Sequence, residues 1–258
     1  MKRREFLATS ILAGGASVVP AFSQELSQMY YEFSRYQIVN NAGKIKFENY
    51  WEQAAIPALN RLGIQPVGLL QSKYGSHGLD YYVLVPHPSL DSFVTVWENV
   101  AADAEYQSLQ DFIDQPMTEP LYYRCQTSLL RAFAELPTIE IAPHIRNAKG
   151  RLFEMRIYES HNRHTAKLKV EMFNQGGEIA LFRETGLNPV LFGETLAGDR
   201  MPNLTYMLGF ASIEERDKAW QAFGGSEAWA TMRVNPRYAD TVSSVTDIIL
   251  SPAACSQI

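Results

Sequence analysis

The chain repeats itself, and that repeat limits what it can fold into. Gly63 and Gly186 lie 123 positions apart (186 minus 63), and so do Pro66 and Pro189, Trp97 and Trp220, and Tyr106 and Trp229. Lys44 and Lys46 fall opposite Lys167 and Lys169 at the same offset. The stretch Tyr31-Glu32-Phe33-Ser34-Arg35-Tyr36 returns as Phe153-Glu154-Met155-Arg156-Ile157-Tyr158, one position out of step. Matches of this kind across half a chain mark an internal duplication. Two copies of one unit are expected, at 28–135 and 151–252. The stretch 136–150, with Pro137, Pro143 and Gly150 and no sustained period, reads as the linker.

Within each half the periodicity alternates between strand and helix. Strands are expected at 30–39, 66–70, 80–85 and 122–133, and again at 152–158, 189–195, 203–210 and 245–250. A helical stripe runs through Phe47, Trp51, Ala54, Ala58 and Leu62, and its counterpart spans 165–185. Gly63 and Gly186 stand where a helix C-terminus favours positive φ. Ser89 can cap the second helix of the first half, and Ser212-Ile213-Glu214-Glu215 reads as a capping box in the second. The order strand–helix–strand–strand–helix–strand is that of a ferredoxin-like unit in the α+β class. Each unit has helices on one sheet face and leaves the other bare. Two units in one chain can bury those bare faces against each other as an intrachain pseudo-dimer.

The first residues read as an address. Arg3 and Arg4 precede Phe6 and Leu7, an apolar run of small residues follows from Ala8 to Val19, and Ala21-Phe22-Ser23 offers a cleavage site. The Arg-Arg-x-Phe-Leu order resembles a twin-arginine export signal over residues 1–23. The apolar run is shorter than the ~20 residues that span a bilayer. A periplasmic or secreted location follows, with the twin-arginine export machinery as a partner and no membrane span in the mature protein.

The formal net charge of −5, with no basic run beyond the N-terminus, argues against nucleic-acid binding. Cys125 and Cys255 are the two cysteines, and an oxidising compartment would permit them either to pair or to remain as small apolar side chains.

Side chains on a strand alternate faces. Glu154, Arg156 and Tyr158 therefore share one face, and Glu32, Ser34 and Tyr36 share its copy. The expectation is that this polar face points into the space between the two sheets and binds a small ligand, while Phe153, Met155 and Ile157 pack under the helices. The same residues could instead form a satisfied structural network. His161 and His164, three apart, would face one way at a helix start. No third ligand stands nearby, so neither a metal nor a cofactor is expected.

Phe153 to Tyr158, the helix ending before Gly186 and Pro189, and the run from Leu204 to Arg216 followed by Lys218-Ala219-Trp220 and Glu227-Ala228-Trp229 together resemble the NIPSNAP family. The resemblance is stronger over 150–252 than over 28–135, where Ser34 replaces an Arg usual in the family. It implies a dimeric α/β barrel, made here by two tandem units. It also implies kinship with cofactor-free monooxygenases and haem-binding barrels, without a catalytic signature to carry over. The expected function is an exported protein that binds a small, partly apolar ligand in the barrel, in the manner of a cofactor-free oxygenase. A non-catalytic homo-oligomeric assembly protein and a haem barrel using His161 or His164 are the alternatives.

Overall fold

The computed structural model describes residues 27–74 and 78–258. Arg3, Arg4 and the rest of the export-signal reading lie outside the described residues. The elements of the first half are β1 (Tyr30–Gln37), α1 (Asn41–Tyr50), α2 (Ile56–Arg61), β2 (Gly68–Tyr74), β3 (Tyr81–His87), α3 (Leu90–Ala102), the short α4 (Ala104–Gln107) and α5 (Gln110–Ile113), and β4 (Arg124–Ala132). After the short α6 (Pro143–Arg146) come β5 (Leu152–Glu159), α7 (Arg163–Phe173), α8 (Glu178–Glu184), β6 (Asn188–Ala197), β7 (Asn203–Phe210), α9 (Ile213–Gly225), α10 (Glu227–Met232) and β8 (Ser244–Pro252).

The eight strands form one closed barrel in the order β1-β3-β2-β8-β5-β7-β6-β4, with every pairing antiparallel. Each half supplies four adjacent strands in the order fourth, first, third, second. The seams are β2 with β8 and β4 with β6. The two units therefore close each other's sheet edges, which would otherwise expose unpaired backbone.

The long helix of each unit is interrupted at the same place. In the first half a π-helical turn, Trp51–Ala55, separates α1 from α2. In the second half the chain breaks between Phe173 and Glu178, where Gly177 takes φ +82°. The single helix expected at 165–185 is therefore two. Gly63 and Gly186 both adopt left-handed backbone, at φ +77° and +84°, and end their helices as the sequence indicates. At α9 the Ser212 hydroxyl accepts from Glu215 N, and Glu215 Oε2 accepts from Ala211 N, one residue ahead of the simple box.

The faces of the opening strands are reversed from the expectation. Phe153 and Met155 point into the lumen with Tyr31, Phe33, Leu70, Tyr82, Leu84, Leu130, Met207, Ile248 and Leu250. Glu154, Arg156 and Tyr158 point outward, beneath the helices of the second half. Alternation separates two faces but does not say which is which. Here the lumen is filled with large apolar side chains, as the narrow interior of an eight-stranded barrel permits, and helix residues meet the charges on the outer face. Apolar residues of that outer face, including Leu152, Phe192, Tyr206, Leu208 and Phe210, pack with Phe173, Phe182, Ala219 and Phe223 of the helices.

One end of the lumen is capped by the segments that follow each unit. Ile139 and Ile141 pack on the lumen core from the stretch after β4, and Ile258 does so from the stretch after β8. Glu140 N bonds Val190 O and Gln257 N bonds Val67 O, both at 3.0 Å, so each segment is tied to the beginning of a second strand. The stretch 136–150 thus carries core contacts as well as connecting the units.

Candidate functional site

At the other end the lumen opens into a cavity of about 80 Å³. Its floor is apolar: Phe33 from β1, Ile157 from β5 and Ile248 from β8. Its rim is polar: Arg35 from β1, Gln126 and Ser128 from β4, Asn203 and Thr205 from β7, and Thr246 from β8. Tyr82 of β3 lies between floor and rim and stacks on Phe33 with ring centroids 5.8 Å apart. Asp199 and Arg200, in the β6–β7 loop, also stand at the mouth. Both units contribute, and neither could form this site alone.

The charges at the mouth are arranged unequally. Arg35 gives Nε and Nη2 to one oxygen of Asp80, at 2.7 and 2.6 Å. Arg200 gives Nη1 to Thr246 Oγ1 at 3.0 Å. Burial pushes the Tyr82 phenol well above its ordinary range, the Arg35 and Arg200 charges oppose that shift, and Asp80 adds to it. Tyr82 is therefore a neutral hydroxyl in an apolar wall, close enough to two guanidiniums to feel both. A polar rim over an apolar floor suits an organic molecule with one polar end.

The residues singled out from the sequence lie elsewhere. Glu154 is fully buried on the outer face. It accepts from Arg216 Nε at 2.8 Å, Arg216 Nη2 at 3.1 Å and Trp220 Nε1 at 2.7 Å. Burial nevertheless holds its carboxyl above the ordinary range, the Arg216 bonds and the Trp220 bond opposing and nearby Asp247 adding to the rise. Arg156 pairs with Glu154 and with Asp247, both at 3.1 Å, and lies over the Trp220 ring. Tyr158 Oη accepts from Tyr206 at 2.9 Å and from Arg156 at 3.3 Å. Glu32 accepts from Trp97 Nε1 at 3.0 Å and stands 3.6 Å from the buried His87. Tyr36 packs on Phe47, Trp51 and Tyr122. Each set joins its own sheet to its own helices, and none of these residues lines the lumen mouth.

His161 and His164 are exposed at the start of α7, where Asn162 rather than either His caps the helix. Neither lines the mouth. Among the described residues, no group of three His, Cys, Asp or Glu is placed to hold a metal ion. Cys125 and Cys255 are separate thiols, the first exposed and the second half-buried. No helix among the described residues is long and apolar enough to cross a membrane.

The sequence carries one sign of the mouth. Arg35 is a charge on the otherwise apolar face of β1, where Tyr31 and Phe33 precede it. A lone cation on a lumen-facing register needs a counter-charge or a ligand.

Comparison with known proteins agrees with this architecture. The family model described as NIPSNAP matches the chain twice, over 31–133 and 153–257. No curated protein matches it. A candidate monooxygenase of Lactobacillus acidophilus shares the fold at TM-score 0.57 and 12% identity, over 88% of this chain and 94% of that one. An anthrone oxidase-like protein superposes at TM-score 0.50 and 10% identity, over 88% and 92%. A NIPSNAP family protein of Agrobacterium tumefaciens is 21% identical over 40% of this chain and 94% of its own, at TM-score 0.36. At these identities the likeness is one of fold.

Proposed function

The chain belongs to the NIPSNAP family, and from that footing we propose that it binds a small, partly apolar organic ligand at the open end of its barrel. The observation that carries this reading is the cavity itself, an apolar floor of Phe33, Ile157 and Ile248 under a rim holding Arg35, Tyr82 and Arg200. The outer-face network of Glu154, Arg156 and Tyr158 does not carry it, because protein partners already occupy those groups. A catalytic version of the same reading is a cofactor-free oxygenase. It draws support from the names of the fold neighbours and from the two guanidiniums beside the lumen, which would stabilise negative charge developing on a bound oxygen. The export reading stands beside it as a proposal, resting on Arg3, Arg4 and the apolar run after them.

Native mass spectrometry of protein purified from its own host tests the binding claim. The expected spectrum shows a retained small molecule, absent from Ile248→Trp, whose indole would fill the cavity floor. The same adduct on a folded Ile248→Trp would remove the lumen from consideration.

A further inference from the structure

We propose that Arg200 receives a carboxylate on the bound ligand, so that the ligand is a small organic acid with an apolar body. This rests on the reading of the lumen mouth as a ligand site and adds to it the chemical class and the orientation of the occupant.

The two guanidiniums at the mouth differ in what they have left to offer. Arg35 is closed off on one side by Asp80, at 2.6 and 2.7 Å. Among the described residues, the Arg200 guanidinium makes one hydrogen bond, to Thr246. The nearest acids, Asp199 at 3.6 Å and Glu159 at 3.8 Å, stand beyond hydrogen-bond distance. They balance part of its charge without consuming its donors. A guanidinium has five N–H groups in a planar fork that fits a carboxylate two bonds at a time.

Arg200 is also held in place. Its backbone is left-handed, at φ +54°, a conformation uncommon for a side chain of this size. Asn203 fixes it there, since its Nδ2 donates to Asp199 O at 2.8 Å and Arg200 O at 3.0 Å. Asn203 is itself buried, and its Oδ1 accepts from the Thr195 hydroxyl at 2.6 Å. The Asp199 carboxylate takes the Arg200 N–H at 2.9 Å. These bonds fix the backbone from which the side chain departs, and the Thr246 bond holds the guanidinium at the mouth. The side chain is 42% exposed, on the solvent side of the cavity. Phe33, Ile157 and Ile248 lie on the inner side. An acid entering from solvent would keep its carboxylate at Arg200 and send its apolar end inward. The volume of about 80 Å³ favours a compact body.

Isothermal titration with benzoate and benzamide, equal in shape and different in charge, tests this. The intact protein should bind benzoate on the order of tenfold more tightly than benzamide, the margin of a charge-assisted over a neutral hydrogen bond. Arg200→Gln should bring benzoate down to the benzamide level and leave benzamide unchanged. Arg200→Met, which keeps the apolar stem, repeats the test if the first variant folds poorly. Equal affinities in the intact protein, or a benzoate preference that survives both variants, would overturn the assignment. If both probes bind alike and Ile248→Trp abolishes both, the ligand site stands and the acid specificity falls. Binding of neither probe overturns both.

Discussion

Trp220 donates its indole N–H to Glu154 at 2.7 Å, and Trp97 donates the same group to Glu32 at 3.0 Å. One bond is thus built twice, between the first strand and the second long helix of each unit. The carboxylates are surrounded differently. Glu154 also holds Arg216 and Arg156, whereas Glu32 has His87 at 3.6 Å as its only other ionisable neighbour in ion-pair range among the described residues. The polar face of the opening strands is therefore a helix anchor, reinforced by charge in the second half.

Neutralising that anchor should cost more in the second half. Glu154→Gln weakens the bonds from Arg216 and Trp220 while Asp247 stays beside both guanidiniums, and a loss of about 2 kcal/mol is expected. Glu32→Gln keeps an acceptor for Trp97 and should cost about 1 kcal/mol. Urea unfolding of both variants measures the difference, and equal losses would contradict the account.

Glu178 predicts a pH dependence. It is buried against Lys169 at 2.7 Å, and burial raises its pKa above the ordinary 4.5 despite that partner. Such a carboxyl holds its proton more tightly in the folded protein than in the unfolded chain. Its contribution is therefore fully present below pH 4.5 and is lost as pH climbs through the raised value. The stability of the natural protein relative to Glu178→Gln should decline over that rise. A flat difference from pH 4 upward would show that the ion pair cancels the burial effect.

Gly198 should not tolerate a side chain. A Cβ there would clash with the Ser128 hydroxyl, and φ is +153°. Gly198→Ala should lose about 1–3 kcal/mol, as overpacked sites do, and should shift the loop that carries Arg200. Thermal melts and benzoate titration would register the two effects separately.

The two thiols should differ in reactivity. Cys125 is exposed, whereas burial pushes the Cys255 thiol up to about 11. Iodoacetamide at pH 8, followed by peptide mass mapping, should label Cys125 first, since the thiolate is the nucleophile. Preferential labelling of Cys255 would contradict its placement.

Export should depend on the arginine pair. Replacing Arg3 and Arg4 together by Lys should keep the protein in the cytoplasm with residues 1–23 attached. Unchanged export and cleavage would end the twin-arginine reading.

The duplication made the eight strands and their order legible, because Gly63 and Gly186, or Trp97 and Trp220, fix the register of two copies. The reversed face was not legible. Period-two alternation says that Glu154 and Met155 point apart, and only the approach of Arg216 and Trp220 from α9 decides which is outward. The mouth was hidden for another reason. Arg35, Tyr82, Ser128, Arg200 and Ile248 belong to five different parts of the chain and meet only when the β2–β8 and β4–β6 seams close.

Arg35 and Ile157 occupy matching positions in the two copies, at the offset of the opening strands, and both line the one mouth. Were the barrel assembled from two identical chains, every change in its wall would occur in duplicate, and a cation introduced there would meet its own image. Joining the copies in one gene frees each position to vary singly. A mutational scan of the lumen should therefore give unequal tolerance maps for the two repeats, with Arg35 constrained by charge and Ile157 by volume.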